Sequence, residues 1–418
     1  MKTRWSLLVV ALLICHPLIE AADWPQWLGP KRNGISQESG LLETWPADGP
    51  TLLWQNENLG SGYSAPVAVG NRLYVLANEG LDDEFVRALE IKDGKQVWST
   101  RIGKVGNPNQ KPNYPGSRST PTVDGDLLYV FGSDGDLACL EIATGKIRWH
   151  LNVRDKFGGQ PGRWAYSESP LIDSDLLICA PGGEEATLVA LDKMSGNVVW
   201  KSSVPGGDQA AYASTIIATA AGIKQYVQFL GKGLVGVDAA NGNVLWQYKK
   251  TAQGSPANIP TPIAHNGYIY SASNRGGGSL IQVKGDKESI QVEEVYYSPK
   301  LPRAVGGALL INGYLYGTTG KAMQCVDFMT GEIKWSARSV GAGSFCYVDE
   351  RLYVHGEEGE VLLVVPSPDA YREEGRFTPS KSPDAGRSKA WAYPVVSNGR
   401  LYIRDFGILS CYDVKEKE

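Results

Sequence analysis

Beyond its first twenty residues the chain has no apolar run long enough to span a bilayer, no Cys-Cys pair, no CxxC or CxxCH motif and no excess of basic charge. Each absence removes a class. Nothing after the N-terminus reads as a transmembrane helix, and without CxxCH any electrons would have to leave through another protein. The 41 Lys and Arg against 45 Asp and Glu give a formal charge of −4 with no basic face interleaved with aromatics, so nucleic acid is not an expected partner. His150, His265 and His355 show no metal-ligand spacing, and no Ser-His-Asp arrangement can be argued. Of the six cysteines, Cys139, Cys179, Cys325, Cys346 and Cys411 lie in the body of the chain. That odd, scattered set does not indicate a disulfide framework and reads as small buried hydrophobes.

What is abundant is glycine at 49 residues, proline at 24 and tryptophan at 12, a composition that suits many short strands joined by tight turns. Lys2 and Arg4, the apolar run from Trp5 to Cys15, Pro17, and then Ala21 and Ala22 read as a secretory signal peptide. Cleavage near Ala21 removes two cations and one anion, leaving a charge of −5. Export to the periplasm or the medium is therefore expected. Ile14 stands where lipoprotein processing favours a small residue, so anchoring through Cys15 is not.

Self-comparison shows an acidic residue, two arbitrary residues, Asp/Thr/Ser/Asn-Gly, three more residues and Trp, repeated at constant spacing. Five copies are intact, with Gly94 and Trp98, Gly145 and Trp149, Gly196 and Trp200, Gly242 and Trp246, and Gly331 and Trp335. Each reads as a hairpin between the two outer strands of a blade, with Gly at the positive φ of the turn and Trp packed between neighbouring sheets. Upstream of each hairpin lies a Ser/Thr-x-Pro-like start, a short apolar strand, a turn and a Leu-Tyr-Val-like strand, and eight copies can be counted. The fifth and seventh units lose the Gly and Trp, with Lys287-Glu288-Ser289 and Pro366-Ser367-Pro368 in their place. The eighth ends after three strands, near Cys411-Tyr412-Asp413. Thr51-Leu52-Leu53-Trp54-Gln55 resembles the missing fourth strand, so the N-terminal strand is expected to close the ring through Trp54. The expectation is an all-β, eight-bladed propeller of four-stranded blades over 51–413. A signal peptide over 1–21 and a strap over 22–50 precede it, and a charged tail over 414–418 follows.

Thr144-Gly145-Lys146-Ile147-Arg148-Trp149 and its siblings resemble the tryptophan-docking repeats of the pyrroloquinoline quinone (PQQ) propeller superfamily. Asp23-Trp24-Pro25-Gln26-Trp27-Leu28-Gly29-Pro30 resembles the start of many secreted bacterial members, where it reads as a rigid strap, the alternative being an exposed Trp pair that binds a partner. The superfamily holds quinoprotein dehydrogenases and also cofactor-free propellers of the BamB-like assembly-factor branch, so the resemblance alone leaves both readings open. As an enzyme the chain would be an alcohol or sugar dehydrogenase with PQQ on the propeller axis, a nearby calcium ion and an Asp base. The alcohol-oxidising members commonly carry a disulfide between adjacent cysteines, which this chain lacks.

Arg118, Glu168, Asn258 and Arg303, each just before an innermost strand, are the candidates for holding a cofactor at the channel mouth, with Tyr63, Tyr166, Tyr212 and Trp391 at comparable points. The alternative is that these polar groups are solvated or paired at a pore and that the tyrosines plug it. The long segments 103–118, 154–167 and 370–390 are expected to be loops that carry binding determinants. The reading these features favour is a non-catalytic envelope scaffold, monomeric, that binds an envelope protein or small ligand on one propeller face.

Overall fold

A computed structural model describes residues 23–110, 116–286, 288–379 and 389–417. Residues 1–21, read above as a signal peptide and including Cys15, and Lys381, Asp384 and Arg387 of the last long segment, lie outside the described residues. The described strands form eight four-stranded antiparallel sheets arranged as blades in a ring. The first three blades begin with the short inner strands Val67–Val69, Thr122–Asp124 and Leu171–Asp173, and the fourth with Ile216–Ala220. Blades five to eight begin with Ile263–His265, Ala308–Ile311, Gly343–Val348 and Val395–Ser397. In the eighth blade, strand Thr51–Asn56 pairs with Ile408–Asp413 and places Trp54 opposite Cys411, which closes the ring.

The repeat motif explains how the blades adhere. Gly94, Gly145, Gly196, Gly242 and Gly331 all have φ between 69° and 79°, a conformation that disfavours any side chain. The bare Cα is also a seat for the previous blade's aromatic. A Cβ on Gly145 would stand 2.5 Å from the Trp98 ring, and one on Gly94 2.5 Å from Trp54. The indole N–H of Trp98 donates to Ile142 O at 3.0 Å, that of Trp149 to Lys193 O at 2.9 Å and that of Trp54 to Ile91 O at 2.9 Å. Trp54, Trp98 and Trp149 thus cover the turn of the next blade, whereas the Trp246 indole donates within its own blade, to Gln225 Oε1 at 2.7 Å. Across its own blade each tryptophan faces a small residue, as in Trp149 opposite Cys139, Trp335 opposite Cys325 and Trp98 opposite Ala88. The five cysteines of the described residues are all buried and free.

The two degenerate blades keep this contact by other means. In the fifth, Tyr296 occupies the tryptophan's register position opposite Leu280, lies on Gly331 and donates its hydroxyl to Phe328 O at 2.9 Å. In the seventh, the fourth strand is Arg372–Phe377, inside the segment expected to be loop, and Gly375 holds the tryptophan position opposite Leu363. Trp45, from outside the blades, fills the vacated place, with ring centroids 5.3 Å from Phe377 and 5.8 Å from Tyr353.

The inner strands are tied side to side by hydroxyls. Thr120 N–H donates to Ser169 Oγ at 2.9 Å, Ser169 N–H to Ser214 Oγ at 3.0 Å and Ser214 N–H to Thr261 Oγ1 at 3.5 Å. This gives the Ser/Thr before each proline a structural task, because inner strands of different blades share no ladder and their backbone N–H groups need other acceptors.

Residues 23–42 run across one end of the ring and touch all eight blades at or beside their inner strands. Trp24 exchanges backbone hydrogen bonds with Ala68, and Pro25 O accepts from Val123 N–H. Arg32 donates to Ser169 O, Pro170 O and Thr215 O, and Trp27 Nε1 donates to Thr261 Oγ1 at 3.4 Å. Gly34 lies against Leu309 and accepts from Tyr347 N–H, and Glu38 accepts from Asn398 N–H. Leu42 N–H then donates to Val414 O beyond the last blade. Among the described residues no helix is long and apolar enough to cross a membrane.

Candidate ligand site on the propeller axis

The loops that lead into the inner strands converge at the end of the ring opposite the N-terminal segment and enclose a cavity of about 320 Å³ on the axis. One repeat position supplies most of its wall. The residue three before each inner-strand proline, or its equivalent, lines the cavity in seven blades: Tyr63, Arg118, Ser167, Tyr212, Ile259, Val305 and Trp391. Trp164, Ala257, Asn274 and Ser214 complete the sides. Trp27 and Tyr393 also line it, with ring centroids 4.4 Å apart at 71° and the Tyr393 hydroxyl donating to Gly306 O at 3.0 Å. Because Trp27 belongs to the segment that crosses the other end, the cavity reaches down to that segment.

The aromatic wall is braced. Tyr63 and Trp391 lie 5.1 Å apart, Trp164 and Tyr212 6.0 Å apart, and the Tyr212 hydroxyl accepts from Trp164 N–H at 3.0 Å. Trp391 Nε1 donates to Glu357 at 3.2 Å. Arg118 is the one charged side chain among the described lining residues. Its guanidinium donates to Trp164 O at 2.8 Å and sits 5.9 Å from the Tyr63 ring centre. Burial pulls its pKa below the usual arginine range, and burial raises those of Tyr212 and Tyr393, so both phenols stay neutral. Ser167 is nine-tenths buried, and its hydroxyl has no hydrogen-bond partner within the protein.

Of the four polar candidates, only Arg118 lines this cavity. Glu168, one residue on from the lining position, faces into the blade, where it accepts from Ala180 N–H at 2.9 Å and shares a hydrogen bond with Thr215 Oγ1 at 2.9 Å. Burial raises its pKa to about 7, and the charge of Arg32 opposes that rise. Asn258 is buried and holds a neighbouring loop through Leu230 O at 2.7 Å and Gly231 O at 3.1 Å. Arg303 donates to Asn274 O at 2.9 Å and lines a separate cavity of about 170 Å³ beside the axial one. Tyr63, Tyr212 and Trp391 reach the axial cavity, whereas Tyr166 is buried against Phe131 and donates to Pro181 O at 2.7 Å. The sequence reading placed Trp27 in the N-terminal segment rather than at the axis, and it did not single out Trp164, Ser167 or Asn274. The signal that could have found Ser167 is its place three residues before Pro170.

The fit of calcium-bound PQQ can be judged from this donor set. The described lining offers one guanidinium and no carboxylate, so it supplies neither an anionic oxygen ligand for calcium nor an Asp base. Among the described residues no three of His, Cys, Asp and Glu converge as a metal site. These residues do not fit the cofactor.

The profile of the family described as "Outer membrane protein assembly factor BamB" matches residues 34–163 and 107–337. A protein of that name from Moranella endobia is 24% identical over 350 residues, covering 79% of this chain and 82% of its own length. The crystal structure of BamB from Moraxella catarrhalis superposes with a TM-score of 0.58 at 15% identity, over 85% of this chain and 95% of that one. A europium-containing methanol dehydrogenase superposes with a TM-score of 0.65 at 12% identity, over 91% and 89%. The last two likenesses speak for the fold alone.

Proposed function

Because the chain belongs to the family described as outer membrane protein assembly factor BamB, we propose that it is a non-catalytic binding scaffold of the cell envelope that engages its partner at the mouth of the axial cavity. The observation that carries this reading is the chemistry of the cavity wall. Aromatic faces, one guanidinium, two serines and an asparagine suit binding, and the described lining places no carboxylate or histidine to move a proton. The signal-like N-terminus supports export to the periplasm or beyond, where such a scaffold would act. The name of the relatives supports an envelope protein as the partner.

The rival is a PQQ- and calcium-dependent dehydrogenase, and one experiment decides between them. The purified protein is incubated with PQQ and Ca²⁺, passed through gel filtration, and assayed for dye reduction with alcohols and aldoses. The expected result is no retained cofactor and no turnover. Stoichiometric retention together with turnover would overturn the scaffold reading.

A further inference from the structure

We propose that the mouth of the axial cavity receives an extended acidic segment of an envelope protein, with an aromatic side chain in the cavity and a neighbouring carboxylate between Arg275 and Arg303. This rests on the scaffold reading above and names the chemistry of the partner.

Charge is the first argument. The smaller cavity of about 170 Å³ adjoins the axial one, and the two share Ala257, Ile259, Asn274 and Val305. Arg275 and Arg303 line the smaller cavity, and no carboxylate lines either one among the described residues. Arg275 is exposed and makes no hydrogen bond or ion pair among the described residues. Arg303 is oriented by Asn274 O through Nε and by Pro299 O through Nη1, which leaves Nη2 for a ligand. Arg118 adds a guanidinium in the axial wall, and Arg163 stands over Trp164, 5.2 Å from its ring centre. Glu357, which accepts from Trp391 Nε1, lines neither cavity. In a chain of formal charge −4 this is a local excess of cations, and arginine forks match carboxylates.

The axial wall supplies the anchor seat. Its indoles and phenols surround about 320 Å³, enough for an aromatic side chain, and aromatic anchors seated in pockets carry most of the energy of an interface. Asn274 stands in the wall common to both cavities. Its carbonyl holds Arg303 while its side-chain amide has no partner among the described residues, so it can donate to and accept from a peptide backbone between the two seats. The Tyr212 hydroxyl accepts from Trp164 N–H and keeps its own proton for a backbone carbonyl. An anionic membrane is the other surface that such a cationic face could meet. The exposed large hydrophobic residues, Leu52, Leu53 and Val199 among them, line neither cavity, so none is placed to enter a bilayer at the mouth.

The test is isothermal titration of the purified protein with three end-blocked peptides, Ser-Glu-Phe-Glu-Ser, Ser-Gln-Phe-Gln-Ser and Ser-Glu-Ala-Glu-Ser, beside co-sedimentation with vesicles of phosphatidylcholine and phosphatidylglycerol. The first peptide is expected to bind one to one, and each of the others about tenfold more weakly. Arg275→Gln should weaken the first peptide about fivefold, with an unchanged melting temperature and an unchanged affinity for the glutamine peptide. Added salt should weaken the glutamate peptide and spare the glutamine one. Equal affinity for the glutamate and glutamine peptides, equal affinity for the phenylalanine and alanine peptides, an unaffected Arg275→Gln, no binding of any peptide, or binding to vesicles alone would each overturn the partner chemistry and leave the scaffold reading in place. PQQ retention with turnover would overturn the scaffold reading and this inference with it.

Discussion

Glu168 is a buried carboxylate with a titration that reports on folding. Thr215 Oγ1 lies 2.9 Å from one Glu168 oxygen and 2.6 Å from Gln228 Oε1, and a single hydroxyl proton cannot serve both acceptors. Protonated Glu168 resolves this by donating to Thr215, which then donates to Gln228. That fits a pKa raised to about 7 by burial. A carboxyl whose pKa is higher folded than unfolded holds its extra proton only in the native state, so stability falls as pH rises from about 4.5 to 7 and is flat above. The cost at neutral pH is on the order of 3 kcal/mol. Glu168→Gln, whose amide can donate to Thr215 and whose carbonyl can accept from Ala180 N–H, should remove that slope. Urea unfolding at pH 5 and pH 8 checks it, and parallel losses in variant and parent would count against the assignment. The sequence brought Glu168 forward as a mouth residue because it is one position from the lining register. In an extended segment one position is the difference between facing the axis and facing the blade. Arg118 was legible because it stands three residues before Pro121, in the lining register.

At the scale of elements, the Gly-Trp hairpins were legible because the contact needs two residue types at fixed positions, a glycine with positive φ and an indole one blade earlier. The closing strand at Trp54 was legible for the same reason. What hid the remaining contacts was substitution. Tyr296 does the work of tryptophan within its own strand, and Trp45 does it from 330 residues away in sequence, packed on Gly375. No spacing rule within the repeat can find a side chain supplied from outside it. Trp45→Ala should therefore behave like loss of a blade tryptophan and destabilise by about 3–5 kcal/mol, although Trp45 lies in no blade. The shift of the urea midpoint measures this, and a loss below about 1 kcal/mol would show that the seventh and eighth blades adhere without it.

For the whole molecule, the segment over 23–42 matters more than a strap. A propeller ring is held by neighbour contacts alone, and a ring with one closing strand has one place to open. This segment adds a second circuit that touches all eight blades at or beside their inner strands, and Trp27 within it also lines the axial cavity. Sequence reading found its rigidity in the two tryptophans and two prolines. It could not show the path, because each contact is to a backbone group or a single side chain in a different blade. Deleting residues 23–36 removes the buried Trp24, Leu28 and Arg32 and should destabilise by at least about 5 kcal/mol. The loss should be shared around the ring. Hydrogen exchange of the amides in and just before the inner strands, among them Thr120, Ser169 and Ser214, is expected to quicken in all eight blades, because the deletion removes the link common to them. Faster exchange confined to the first and eighth blades would mean that the closing strand alone holds the ring, with the segment as a local cover.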